Sequence, residues 1–179
     1  IFYFSPHLLK DRNATFDNKS RLAHYDISAA IAHMKFIQED WEAFKLALSS
    51  ILNISQVEIH HISQGTDNRQ QPFIVFKQNN RYDDLNTMSD GTVVLIALIT
   101  KLFSDASDIF FLEEPENSIH PRALSELMKL IRAKSVDKQF IITTHSPYLL
   151  NMIKPEEVYV ASINKEGKSE IGKLPNVKA

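Results

Sequence analysis

An α/β fold built on a parallel sheet is predicted by three observations. From Ile109 to Leu112 four apolar residues run without interruption, as a strand buried in a parallel sheet does, and they end on two acids, Glu113 and Glu114, before Pro115 stops the strand. After residue 108, strand-like and helix-like segments alternate, which implies crossover connections and a right-handed parallel layer. The composition, 44% hydrophobic and 23% charged over 179 residues, suits one globular domain with a sizeable core.

Composition also excludes some classes of function. A net charge of -2 argues against a surface built to coat a polyanion, so any DNA contact would have to be local. The absence of cysteine rules out disulfides and thiolate metal sites and fits a reducing compartment, the cytoplasm. No apolar run reaches the ~18 residues of a membrane span and no signal peptide is visible, so no membrane partner is expected. The chain opens on Ile1 rather than on methionine and is expected to be a piece of a longer protein.

Taken in order, Ile1 to Phe4 reads as a short buried strand broken by Ser5 and Pro6, and the polar stretch from His7 to His24 as a connecting loop. Apolar residues from Ile27 through Met34, Trp41 and Phe44 to Leu52 then step by three and four, which predicts a long amphipathic helix with Asp26 as N-cap and an interruption near Glu39 and Asp40. Its stripe suits core packing better than a ligand groove. Gln56–Ser63 and Phe73–Lys77 read as strands of a hairpin or meander, joined by the polar segment Gln64 to Pro72. His60 and His61 are neighbours on one strand and point to opposite faces, which is poor geometry for one metal ion.

The chain turns at Asn79, and Asn86 to Thr92 leads into an apolar helix from Val93 to Phe103. Ser89 or Asp90 can cap it, and Gly91 lets a ligand approach the first turn closely. Such a helix start attracts anions, although a serine-capped helix without a ligand would read the same way. After the central strand, Pro121 sits at the first position of a helix carrying Leu124, Leu127, Met128 and Ile131. A strand from Gln139 to Thr143 runs into Thr144-His145-Ser146-Pro147, followed by a helix to about Ile153. Two further strands lie near Val158–Ile163 and Ser169–Leu174, and the strands before residue 108 are expected to form a second sheet.

Three features therefore fall in one order: a Ser-x-Gly helix start, two acids ending a strand, and a histidine ending the next strand. Ligands of open parallel sheets sit beyond the C-terminal strand ends, where Glu114 and His145 would meet. The acids could hold a metal or take a proton, although a solvated loop start would look similar.

In this order the motifs resemble those of ATP-binding-cassette ATPases, in the branch that includes RecF-like, SMC-like and OLD-like (overcoming lysogenization defect) proteins with AAA-type ATP-binding domains. The resemblance is strong over about residues 86–155 and looser elsewhere. It implies a P-loop NTPase-like head, of which residues 1–179 would be the C-terminal lobe: parallel sheet, helical lid or insertion at about 25–55, and flanking strands. Met88-Ser89-Asp90-Gly91-Thr92 is similar to the signature motif, so that Ser89, Asp90 and Gly91 would meet the γ-phosphate of ATP held by a second protomer. Ile109 to Glu114 is similar to a Walker B strand. Glu113 stands where the wider superfamily has aspartate and would assist Mg²⁺ through a water, while Glu114 would be the general base. Glu116, Asn117 and Ser118 fall at the D-loop of the dimer seam, and His145 at the switch histidine.

No G-x-x-x-x-G-K-[ST] phosphate loop occurs around Gly65, Gly91, Gly167 or Gly172, and no convincing Q-loop glutamine is present. The fragment alone is therefore expected to bind ATP weakly and to need a P-loop from a preceding segment. The resemblance implies ATP hydrolysis by a homodimer sandwiching ATP and Mg²⁺, in DNA repair or antiphage defence, with DNA or an effector nuclease as partner. The alternative is a non-hydrolysing dimerisation or scaffold module.

Overall fold

A computed structural model describes residues 2–4, 18–64, 69–117 and 119–174. In chain order the elements are β1 (Phe2–Phe4), α1 (Asn18–Ile37), α2 (Trp41–Leu52), β2 (Ile54–Gln64), β3 (Arg69–Gln78), β4 (Arg81–Asp84) and α3 (Asp90–Ser104). They continue with β5 (Ile109–Glu113), α4 (Pro121–Lys134), β6 (Gln139–Thr143), α5 (Pro147–Leu150), a 3-10 turn (Pro155–Glu157), β7 (Tyr159–Ile163) and β8 (Ser169–Lys173).

The parallel sheet has the order β1-β5-β6, so the strand that ends in acids is flanked on both sides. Phe110 and Leu112 are 0% and 1% exposed, while Ile109, Phe111 and Glu113 on the other face are half-buried. The unbroken apolar run thus becomes a strand with one fully covered face, where Phe110 stacks on Phe140 at 5.4 Å between ring centroids. The α3 helix is buried at every position from Val93 to Thr100, as a helix apolar all round must be. It packs against α1 and α2, with Phe44 of α2 meeting Phe103 edge-on at 6.0 Å. Thr100, the one buried polar residue in this core among the described residues, donates its hydroxyl to the Ile96 carbonyl at 2.7 Å. That bond removes the cost of burying it unpaired.

Several sequence expectations change. The predicted loop from His7 to His24 is helical from Asn18 onward, its earlier part lying outside the described residues, and Asp26 lies within α1 rather than capping it. The interruption near Glu39 and Asp40 is real: Gln38 and Asp40 take left-handed backbone at φ 56 each, and the chain restarts as α2. Arg69 to Pro72, expected in a loop, extend β3, with residues 65–68 outside the description. Pro72 is tolerated because β4 pairs only with Val75 to Gln78, so among the described residues no strand pairs with that side of β3 at the proline. Strand β4 itself was not anticipated. Its signal is Asn79-Asn80, both at positive φ (47 and 66), which makes the two-residue turn of a right-twisted hairpin.

Sheet membership also differs. The third strand expected in the parallel layer, β7, instead pairs with β8 in a separate antiparallel hairpin, and the earliest strand, β1, joins that layer instead of the second sheet. The meander β2-β3-β4 is the second sheet.

Candidate active site

The acid end of β5 is a sharp turn that gives its two glutamates different backbones. Glu113 remains in the strand, in register with Thr143 of β6. Glu114 lies beyond it at φ 40, a left-handed conformation that costs an L-residue roughly 1–2 kcal/mol. Two hydrogen bonds hold it there: its N–H donates to the Thr143 carbonyl at 2.9 Å, and its carbonyl accepts from the Asn117 N–H at 3.0 Å. Glu114-Pro115-Glu116-Asn117 is thus a four-residue turn with proline preset at the second position.

The Glu114 carboxylate lies between two side chains. Its Oε2 accepts from Asn117 Nδ2 at 2.6 Å, and its Oε1 is 3.6 Å from His145 Nε2. The second contact is too long for a hydrogen bond and amounts to an ion-pair approach when the imidazole is protonated. Glu114 is 31% exposed and His145 is 92% exposed, so the pair sits at a wet surface rather than in a pocket. Beside it, Thr144 donates its hydroxyl to Glu116 Oε1 and accepts the Ser146 N–H at 2.9 Å. Ser146 caps α5 by accepting from the Leu149 N–H at 3.3 Å, and Tyr148 donates to the Pro121 carbonyl at 3.2 Å. His120 caps α4 through Nδ1, and Pro121 follows at the first helical position. The loops after β5 and β6 are therefore laced together by backbone and side-chain bonds.

The opposite end of β5 is braced as well. Lys138 donates to the carbonyls of Asp105 and Ser107 at 3.0 and 2.9 Å. Burial alone would raise the Asp105 carboxyl, but hydrogen bonds from Ser107 and the charges of Lys101 and Lys138 outweigh it and hold the group below its ordinary value.

Of the residues expected to act, Glu114, Asn117 and His145 come together. Ser89 caps α3, accepting from the Thr92 N–H at 3.4 Å and bonding the Thr92 hydroxyl at 2.9 Å, and these bonds stay within its own first turn. Asp90 is exposed beside it and Gly91 is half-buried. Met88 and Leu85 are buried, which pins the segment leading to this cap. Ser118 lies outside the described residues. Sequence reasoning missed Asn117 as the partner of Glu114 and the Thr144–Glu116 bond. Pro115 at the second turn position was the available signal for the first.

Among the described residues no group of three or more histidines or acids is placed to hold a metal ion by itself. Magnesium in nucleotide sites takes only one or two carboxylates from the protein, and phosphates and waters complete its shell. The hard oxygen donor of Glu113 at a strand end fits that role when a nucleotide accompanies the ion.

Over residues 6–151 the sequence matches the family described as "AAA domain, putative AbiEii toxin, Type IV TA system". The chain belongs to that family. Septu protein PtuA of Bacillus mycoides (strain KBAB4) is 32% identical over 115 residues, which is 59% of this chain and 16% of that protein. The uncharacterized protein MJ1542 of Methanocaldococcus jannaschii is 27% identical over 82 residues, 45% of this chain and 10% of that protein. The chain thus matches only a small part of either relative's length.

Solved structures carry the same fold. An SMC ATPase studied for ATP-driven dimerization and DNA-stimulated activation superposes with a TM-score of 0.59 at 15% identity, over 81% of this chain and 89% of that one. A SmcHead bound to the C-winged helix domain of ScpA gives 0.62 at 17% identity, over 94% and 52%. The SMC head domain from Thermotoga maritima gives 0.55 at 17%, over 84% and 52%. At such identities the likeness concerns the fold. This AAA-family domain has the P-loop NTPase-type α/β fold of SMC ATPase heads. Among the described residues no helix is long and apolar enough to cross a membrane.

Proposed function

We propose that this chain is the C-terminal lobe of an ATPase head that hydrolyses ATP between two copies of itself and serves an antiphage defence system in the cytoplasm. The observation that carries the reading is Glu114, held in a strained turn at the end of a parallel strand with Asn117 on one carboxylate oxygen and His145 beside the other. Phosphoryl transfer to water needs positioning and charge compensation more than covalent chemistry. Glu114 orients and polarises the attacking water, Asn117 fixes its carboxylate, and His145 reaches from the next strand toward the γ-phosphate. Glu113 would hold Mg²⁺, which when bound would supply neutralisation of phosphate charge. Ser89, Asp90 and Gly91 meet the nucleotide of the other copy. The phosphate-gripping loop is not among these 179 residues, so the reading requires it to be supplied from outside them.

The defence role is supported by the likeness to the Septu protein. Glu114→Gln in the full-length protein tests the chemistry. Turnover should fall about 10²–10⁴-fold, the usual worth of a general base, while an ATP-bound dimer persists in light scattering. Unchanged turnover removes Glu114 from the role. Absence of Mg-ATP binding in titration calorimetry favours the scaffold module.

A further inference from the structure

We propose that Glu116 and Thr144 form a latch that sets where His145 stands against Glu114, which makes them positioning residues for hydrolysis; the proposal rests on the ATPase reading above. His145 is 92% exposed, and its side chain approaches Glu114 at 3.6 Å, beyond hydrogen-bond reach. A side chain so little packed is placed by its backbone, hence by the residues on either side of it. Both of those are tied. Thr144 on one side gives its hydroxyl proton to Glu116 Oε1, across the gap between the loops after β5 and β6. Ser146 on the other side donates its N–H to the same Thr144 oxygen at 2.9 Å and accepts from Leu149 at 3.3 Å to start α5. One hydroxyl thus links the backbone on the far side of His145 to the turn that carries Glu114.

Glu116 shows that this link is more than general adhesion. Its Oε2 is buried and finds no hydrogen-bond partner among the described residues. Leaving a carboxylate oxygen in that state is costly, so a residue retained only for stability would be better apolar or fully paired. Glu116 also follows Pro115 in the same turn that forces Glu114 to φ 40. The latch therefore couples the two groups proposed to face water and γ-phosphate, and any shift of the Glu116 turn is transmitted to His145 through Thr144.

The test is steady-state ATPase kinetics on the full-length protein. Thr144→Val and Glu116→Ala should each lower kcat roughly 10–100-fold, the scale of a misplacement of about an ångström. KM for Mg-ATP should stay within about twofold, because only the transition state needs the alignment. Thr144→Ser and Glu116→Gln keep a hydroxyl and an acceptor and should remain within about threefold of the parent, a rescue that loss of bulk stability would not show. The double variant Thr144→Val with Glu116→Ala should be no worse than either single change, since residues acting as one unit are not additive. Parent-like kcat in Thr144→Val while Glu114→Gln is inactive overturns the latch and leaves the ATPase reading intact, as do additive losses. Parent-like turnover in Glu114→Gln removes both. If Thr144→Val does not fold, the comparison of Glu116→Ala with Glu116→Gln decides, and equal rates there overturn the latch.

Discussion

Two strand pairs in the C-terminal half, β5–β6 and β7–β8, are built from strands of the same five-residue length and are held in opposite ways. The first is parallel, is separated by the whole of α4, and owes its place to Phe110 and Leu112 in the core. The second is a hairpin in which every strand residue is exposed. Its order is local: Asn164 Oδ1 accepts from the N–H groups of Glu166 and Lys168 at 2.9 and 3.0 Å, and Gly167 supplies the positive φ of 77 that the turn requires. A parallel pair cannot form without its crossover and the core beneath it, so the geometry at its end belongs to the whole fold. That is the kind of support a site needs to keep Glu114, Asn117 and His145 within ångströms of one another.

The largest effect that would sharpen this contrast is Phe110→Ala. Truncating a fully buried phenylalanine should cost about 3–5 kcal/mol in urea unfolding. A cost below about 1 kcal/mol would show that β5 is held by its laced loops instead. Gly167→Ala comes next. A Cβ there meets nothing within 4 Å, so only the positive φ opposes it, and about 1–2 kcal/mol should be lost. The loss should appear as faster amide exchange in β7 and β8 with the global unfolding midpoint unchanged. Slower or faster exchange in β5 would join the two regions after all.

The smallest effect is electrostatic. Arg132 of α4 reaches Glu157, just before β7, at 3.3 and 3.1 Å. The hydrogen bond from Arg132, then that from the Lys154 N–H, holds the Glu157 carboxyl below its ordinary 4.5. A depressed carboxyl contributes stability that is complete above its unfolded value and is lost as pH falls through the lower folded one. Melting temperature followed from neutral pH down through that range should therefore fall slightly less steeply in Glu157→Gln. Because the pair is exposed, the difference should be small, and an identical profile would mean that the ion pair does not couple α4 to the hairpin.

Local chemistry was legible where one residue type answers one backbone need. Ser89 at the start of α3, Pro121 at the first position of α4, and the apolar run stopped by acids and Pro115 all stand as read. The turn at Asn79 stands as read while the strand β4 that it leads into was passed over, and Asp26 was a capping residue type placed inside a helix that starts earlier. Pro72 misled for another reason: a proline excludes a strand only if both of its sides are paired.

By itself the sequence determined the order of the motifs, the type of each central element, and the arrival of two acids and a histidine at the ends of successive strands, because these follow from periodicity and capping within a few residues. Only the tertiary structure decided that β1 joins β5, that β7 and β8 stand apart from it, and that His145 approaches Glu114 while Thr144 reaches Glu116. Such pairings join residues distant in sequence, and no local propensity encodes them. They are chosen by which faces can be buried together, and the register that results brings one side chain to another.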